Sequence, residues 1–450
     1  MTLKTAVPRV VAVLVVIGIV GYAAAYLAAV LFGGNGGDRA AALPQPIDQQ
    51  LVERGAYVAA EGDCAACHTA PGGKPFAGGL PLATPIGAVY SSNVTPDKAT
   101  GIGNYSYGDF ERAVRRGITP GGRTLYPAMP YPSYARVSDQ DMQALYAFFM
   151  QGVKPVDQQD KPTGIAWPLS MRWPLTYWRW IYAPAVQPAV PAPGSDAVAD
   201  LGAYLVEGLE HCGTCHTPRG IGLNEEALTP DGAQYLAGGK VDNYVANNLR
   251  GDARSGLGAW SEDDIVRFLK TGRNLNTAAF GGMSDVVFHS TQYMTDADLQ
   301  AIAHFLKKLP ASGQDQKFAY DPAVGDALYK GDVTKAGALD YVNSCAACHL
   351  TSGKGYADTF PALAGNPVVN AGDPSSLIHI VLTGGTIPST KVEPTHFTMP
   401  PFHARLTDQE IADLLTFIRS SWGNNAPAVD VGQVAKLRAA LVPLQAAGSQ

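Results

Sequence analysis

The six cysteines of this 450-residue chain fall into three copies of one pattern: Cys64-Ala-Ala-Cys67-His68, Cys212-Gly-Thr-Cys215-His216 and Cys345-Ala-Ala-Cys348-His349. Two thiols three positions apart on a helical turn can each form a thioether to one vinyl group of a haem. The adjacent imidazole then points at the iron as its proximal ligand. Cysteine pairs also serve as redox dithiols, disulfides and zinc ligands. A four-Cys zinc centre needs two closely placed pairs, whereas these pairs are widely separated along the chain. Neither a dithiol nor a disulfide calls for a His directly after each pair. The pattern therefore predicts three covalently bound haem c groups, held by Cys64, Cys67, Cys212, Cys215, Cys345 and Cys348, with His68, His216 and His349 as proximal ligands.

An iron that only carries electrons needs its sixth position filled, and Met is the usual partner of His, raising the reduction potential. The chain has eight Met. Met129 stands in Tyr126-Pro-Ala-Met-Pro-Tyr131 and Met399 in Thr398-Met-Pro-Pro401. A following Pro disfavours the helical region for its predecessor and holds the loop extended, which suits a sulfur pressed onto iron. Met283, after Gly281-Gly282, is the choice in the second repeat over Met294, which sits at the mouth of a later helix. Core filling is the ordinary use of Met, and His289, His396 and His403 are neighbouring imidazoles. The expected metal ligands are His68, Met129, His216, Met283, His349 and Met399.

Elements to position these groups repeat as well. Asn93, Asp97, Gly101, Gly103, Ser106, Asp109 and Gly117 match Asn248, Asp252, Gly256, Gly258, Ser261, Asp264 and Gly272 at one constant offset. In both copies a Ser with Asp three residues on predicts a capped helix that ends at the Gly. A closing helix is expected from Asp139, Asp296 and Asp408, each with acids in the first turn and apolar residues at i, i+3, i+4 and i+7. A haem-bearing helix, a middle helix and a closing helix describe the cytochrome c fold. The predicted class is mainly α: three tandem cytochrome c domains after an N-terminal transmembrane helix. The expected boundaries are an anchor or signal over 1–35, domains over 47–153, 195–309 and 324–422, a Pro/Trp-rich linker over 154–194, and a docking or frayed tail over 423–450.

Val10–Phe32 carries no charged side chain, and at about 1.5 Å per residue it reaches roughly 34 Å, enough for a bilayer core. Lys4 and Arg9 precede it, so the positive-inside rule leaves the N-terminus in the cytoplasm and the rest beyond the membrane. A cleaved signal with Ala23 and Ala25 at its site is the competing reading, and it gives the same compartment. Lys plus Arg number 33 against 39 Asp plus Glu, with no basic run, which argues against a nucleic-acid partner. Four of the six Trp, Trp167, Trp173, Trp178 and Trp180, crowd the linker with Arg172 and Arg179. A strap across two domains, a membrane-interface belt and a partner anchor are all open to it.

The chain resembles the tri-haem cytochrome c subunits of membrane-bound, quinone-reducing dehydrogenases of acetic acid bacteria and relatives. The resemblance rests on Thr69-Ala-Pro-Gly-Gly-Lys-Pro-Phe-Ala-Gly-Gly79 after the first haem motif, Thr84-Pro-Ile-Gly87, Asn93-Val-Thr-Pro-Asp97, Thr100-Gly-Ile-Gly103, Leu125 to Tyr134, and Trp167-Pro-Leu-Ser-Met-Arg-Trp-Pro174. It implies an electron relay on the periplasmic face of a bacterial inner membrane. Electrons would pass from a catalytic alcohol, aldehyde, sugar or gluconate dehydrogenase subunit to ubiquinone. That partner would hold a quinone, flavin or molybdenum cofactor, and a small third subunit can accompany it. A retained N-terminal span departs from the family's cleaved signals and C-terminal membrane attachment. A multihaem enzyme with one open iron, or a haem subunit of a terminal oxidase, are the alternatives. No nucleophile–base motif or phosphate loop is present, so no catalytic residue is expected.

Overall fold

A computed structural model describes residues 3–33, 46–189, 194–313 and 316–448, with only the helix backbone for 3–17 and 442–448. The chain divides into two units, Met1–Val58 with Cys67–Ala189, and Ala59–Ala66 with Val190–Gln450.

The first repeat begins after α1 (Leu3–Phe32), with α2 (Gln49–Glu61) and the motif turn α3 (Cys64–His68). A short antiparallel hairpin follows, β1 (Pro81–Thr84) against β2 (Gly87–Tyr90). The middle helix α4 (Tyr107–Arg116) has the expected capping box. Ser106 Oγ accepts from Asp109 N at 3.2 Å and the Asp109 carboxylate accepts from Ser106 N at 3.1 Å. Gly117 ends it in the left-handed region, φ 63°. Next come α5 (Tyr131–Tyr134) and the closing helix α6 (Asp139–Ala147), which runs into a π-helical turn over Phe148–Gly152. Helix α2 crosses α6 at Gly55, where any Cβ would strike the Ala144 carbonyl. Backbone approach this close is open only to glycine.

The linker is a strap on the first repeat. Asn93 Nδ2 donates to the carbonyls of Val156 and Gln158 at 2.8 and 3.2 Å. Asp160 accepts from Asn93 N at 2.7 Å, and Gly164 N donates to Ala88 O at 2.8 Å. It ends in α7 (Pro174–Tyr182), whose Thr176 hydroxyl meets that of Thr124 at 3.2 Å. Helix α1 runs beside α7. Among the described residues no helix is long and apolar enough to cross a membrane. The side chains of residues 3–17, which carry much of the expected span, lie outside the described residues.

The second unit repeats the plan. Helix α8 (Ala197–Tyr204) continues into a π-helical turn over Leu205–Leu209 and crosses the closing helix at Gly202, against the Ala301 carbonyl. The motif turn α9 (Gly213–His216), the hairpin β3 (Gly239–Val241) and β4 (Tyr244–Ala246), α10 (Glu262–Thr271), α11 (Gly282–His289) and α12 (Asp296–Lys308) follow. Ser261 and Asp264 cap α10 at 3.1 and 2.9 Å, and Gly272 ends it at φ 74°. The third repeat holds α13 (Ala323–Tyr329), α14 (Ala338–Ser344), the motif turn α15 (Ala346–His349), α16 (Pro367–Asn370) and α17 (Ser375–Thr383). A two-residue pairing of β5 (Gly385–Thr386) with β6 (Thr398–Met399) leads to α18 (Asp408–Arg419) and α19 (Val431–Gly448).

The tail is docked. Val434, Leu437 and Leu441 are buried in the third repeat's core with Tyr341, Leu415 and Trp422, and each such apolar side chain contributes roughly 1.5–3 kcal/mol. Arg438 Nε reaches Asp408 at 2.6 Å across the same contact. The fully buried Arg419 donates to the carbonyls of Pro427, Val369 and Ala371 at 2.8 to 3.0 Å, tying α18 to α16 and to the segment before α19. The second and third repeats are joined within this unit by Val245 N donating to Ser376 Oγ at 2.7 Å, by Arg273 on Glu393 at 3.1 Å and by a Tyr244–His379 ring stack at 3.7 Å.

Candidate functional site

Each motif sits on a single helical turn, so its two cysteines, three residues apart, share a face. In the second and third copies the His backbone N–H donates to the carbonyl of the first Cys, both at 2.9 Å. Asp63 and His211, just before Cys64 and Cys212, adopt φ 49° and 38° and turn the chain sharply into the motif. Asp and His tolerate this region better than most side chains.

One geometry recurs at all three imidazoles. His68 Nδ1 lies 2.8 Å from Ser92 O, His216 Nδ1 2.7 Å from Asn247 O, and His349 Nδ1 2.9 Å from Pro361 O. A carbonyl can only accept, so each Nδ1 carries the proton and each Nε2 presents a lone pair. A second hydrogen bond of this kind orients a metal-ligating imidazole and fixes its tautomer. Burial also pulls the three imidazoles below the ordinary histidine pKa, favouring the neutral ligand form. The first two clasps come from equivalent places, since Ser92 and Asn247 immediately precede the repeated Asn93 and Asn248. Those asparagines then shape the loop, with Asn93 Oδ1 accepting from Thr95 N at 3.0 Å and Asn248 Oδ1 from Arg250 N at 2.8 Å.

All six cysteines are half-buried, and none is joined to another in a disulfide. Burial pushes the Cys215 thiol up to about 11 and the Cys345 thiol up to about 12. Thiolates are what zinc requires, and among the described residues no group of three or more His, Cys, Asp or Glu could hold a metal ion. A thiol pair beside an oriented Nε2, with no further ligand gathered around it among the described residues, fits covalently attached haem and fits zinc poorly.

The candidate sixth ligands are half-buried and sit on different elements. Met129 lies in a turn, its N–H on Tyr126 O at 3.1 Å and its carbonyl taking Tyr131 N at 2.8 Å. Met283 is the second residue of α11, which starts at Gly282 after Gly281, held at φ 58°. Met399 is on β6, opposite Gly385, and packs on the third repeat's core. The rival Met294 is 1% exposed, a core residue. His403 Nδ1 is taken by Leu382 O at 3.0 Å and His289 sets its edge against Phe288.

Sequence reasoning missed the three clasp carbonyls, because a backbone acceptor has no residue-type signature. It also missed Gly55 and Gly202, for which a lone Gly inside a helical pattern was the available signal. The carboxyl of Glu210, which takes a hydrogen bond from Ser290 Oγ at 2.8 Å, is pushed by burial up to about 8, and no sequence pattern marks it.

Residues 52–152 and 334–422 match the cytochrome c family. The chain is 58% identical over 395 residues to the gluconate 2-dehydrogenase cytochrome c subunit of Pantoea cypripedii, covering 86% of this chain and 89% of that one. It is 50% identical over 430 residues to the cytochrome c subunit of alcohol dehydrogenase (quinone) of Gluconobacter oxydans, covering 95% and 88%. The fructose dehydrogenase cytochrome subunit of Gluconobacter japonicus is 36% identical over 414 residues, 88% and 84%.

Proposed function

Because the chain belongs to the family of cytochrome c subunits of quinone-dependent alcohol and gluconate dehydrogenases, we propose that it is a tri-haem electron-transfer subunit. It takes electrons from a separate catalytic subunit on the periplasmic side and delivers them to ubiquinone. The observation that carries this reading is the Nδ1–carbonyl clasp present at His68, His216 and His349 alike. Membership of the family implies covalently bound haem c, and three equivalent clasps support three of them.

Bound haem supplies a one-electron couple at each site. The chain's part is to hold and tune it. Cys64 and Cys67, Cys212 and Cys215, and Cys345 and Cys348 form the thioethers. His68, His216 and His349 offer an oriented Nε2. Met129, Met283 and Met399 would supply the sulfur ligands, which would raise the potentials of bound haem. The domains run over 47–153, 195–309 and 324–422. The partner is a gluconate, alcohol or sugar dehydrogenase that owns the substrate, with a quinone, flavin or molybdenum cofactor and, in some complexes, a small third subunit. Val10–Phe32 spans the inner membrane, with the remainder on the periplasmic face.

Mass spectrometry of the mature protein in acid and organic solvent tests the core of this reading. The expected result is a polypeptide carrying three haem masses. A bare polypeptide mass, or one reduced by cystine formation, overturns it. Exposure of the reduced protein to carbon monoxide tests the sixth ligands: no spectral shift is expected, and a stoichiometric shift at one haem removes one methionine from the set.

A further inference from the structure

The strap and the N-terminal helix contact one another as a ladder. Gly33 O accepts from Arg179 Nη2 at 2.5 Å, and Ala25 O from Tyr177 OH at 2.9 Å. Farther along, the Tyr22 ring lies edge-on to Trp173 at 5.2 Å, and its hydroxyl meets Met171 Sδ at 3.5 Å. Eleven helical residues separate Gly33 from Tyr22, so the ladder descends roughly 16 Å along α1. Between Lys161 and Asp196 the only charged residues are Arg172 and Arg179. Both charges are turned inward. Arg172 donates twice to Thr124 O and covers the Tyr126 ring at 4.1 Å, while Arg179 is on the Gly33 carbonyl. What remains outside is apolar: Trp167 is 80% exposed, Leu169 59%, Trp180 44% and Ile181 69%. Helix α1 continues the surface with Val20 and Leu27, 61% and 53% exposed. A monomer in water rarely leaves so much large apolar area uncovered.

We propose that Trp167, Leu169, Trp180 and Ile181 insert into the outer leaflet of the lipid bilayer, as a collar around the exit of α1. The occupant is lipid because the patch is continuous with the uncharged stretch Val10–Phe32. Its depth also suits that role: a strap reaching about 16 Å below the helix exit lies within the outer leaflet of a bilayer about 40–45 Å thick with its headgroup regions. Trp and Tyr are the side chains favoured where that leaflet meets water, and the Tyr177 and Tyr22 hydroxyls are satisfied within the ladder, on Ala25 O and Met171 Sδ. The strap also backs the turn that carries Met129, through Thr176 on Thr124 and Trp178 against Tyr131 at 6.1 Å. The collar therefore brings the first repeat's site to the lipid surface. The inference rests on the reading of Val10–Phe32 as a span.

Spin labels test it. With the six native cysteines in thioethers, a single added thiol in the full-length holoprotein is labelled alone, and the mass checks both label and haem content. The variants are Val20→Cys, Trp167→Cys, Ile181→Cys and, as an exposed control, Gln409→Cys, each reconstituted into phosphatidylcholine–phosphatidylglycerol vesicles and read in the reduced, low-spin state. Labels at 167 and 181 are expected to show a several-fold higher ratio of collisions with oxygen to collisions with a water-soluble nickel chelate than the label at 409. If 167 and 181 match the control while 20 stays in lipid, the collar is overturned and the span stands. If 20 is wet while 167 and 181 are in lipid, the span fails and the collar around its exit falls with it. Protection of 167 and 181 only on adding the dehydrogenase subunit would assign the patch to a protein and overturn the proposal. Should Trp167→Cys lose haem, Leu169→Cys reads the same surface.

Discussion

In the first repeat the candidate sulfur, Met129, is held in a proline-braced turn with a strap behind it, whereas in the second Met283 sits in the first turn of a helix, after a glycine pair. Upstream the two repeats agree in detail. Helices α4 and α10 have the same capping box and the same left-handed glycine stop, and the imidazole clasp comes from the residue before the same asparagine. The scaffold around the clasped imidazole is thus duplicated, and the segment that carries the candidate sulfur differs. Proximal geometry follows from backbone hydrogen bonds that tolerate no slack. A sulfur on a loop can be delivered by any chain path that ends at the right place.

The strongest way to break this comparison is to remove the sulfurs. Met129→Ala is expected to lower the potential of one haem by on the order of 100 mV, a part of the roughly 0.8 V that axial ligands span, and to open that iron to carbon monoxide. Met283→Ala should do the same to a different haem in a spectropotentiometric titration. If Met283→Ala moves no potential, the second distal site is built on another residue and the repeats differ in kind.

Next in size are the glycine stops. Gly117→Ala puts a side chain at positive φ and drives its Cβ into the Tyr131 ring behind Met129. The expected cost is about 2–3 kcal/mol in denaturant unfolding. Gly272→Ala meets Pro388 Cγ at 2.7 Å, a ring on an irregular segment, and should cost about 1–2 kcal/mol. Equal losses would show that backbone strain alone sets the cost. Smaller again, Ser106→Ala and Ser261→Ala should each cost about 1 kcal/mol, and a large difference between them would mean that one capping box does more than end a helix.

The smallest effect belongs to the second repeat alone. His304 bridges Glu262 and Asp196 at 3.0 Å each, and these carboxylates raise its pKa. Its folded pKa lies above the unfolded value near 6.5, so its contribution is fully present below that value and is lost as pH rises through the folded pKa. His304→Gln should lower Tm slightly at about pH 5.5 and leave it unchanged near pH 9. An equal loss at both pH values would assign the residue to packing.

Much of this architecture was legible because its determinants are residue types at fixed spacing. The haem motifs, the Ser–Asp caps, Gly117 and Gly272, and the starts of the closing helices are all written that way. The choice of Met283 over Met294 rested on position along the repeat, and the burial of Met294 does not decide it, since a sulfur held on iron is buried too. The clasp carbonyls could not be read, since every residue carries one. The strap was legible as aromatic and not as to its partner: its asparagine clamp depends on Asn93 meeting Val156 and Gln158 across a long loop, and no local pattern encodes that pairing. The tail showed one weak amphipathic turn, and only the burial of Val434, Leu437 and Leu441 makes it a docked helix.

The stacked Tyr244 and His379 rings, with Ser376 bonded to both the N–H and the carbonyl of Val245, form a closely bonded seam between the second and third repeats. Tunnelling rates decay exponentially with separation, so two redox centres on either side of such a seam would exchange electrons at a rate that thermal breathing hardly modulates. With haems bound at His216 and His349, no domain swing would be needed between them, and electron passage should be insensitive to solvent viscosity at that step.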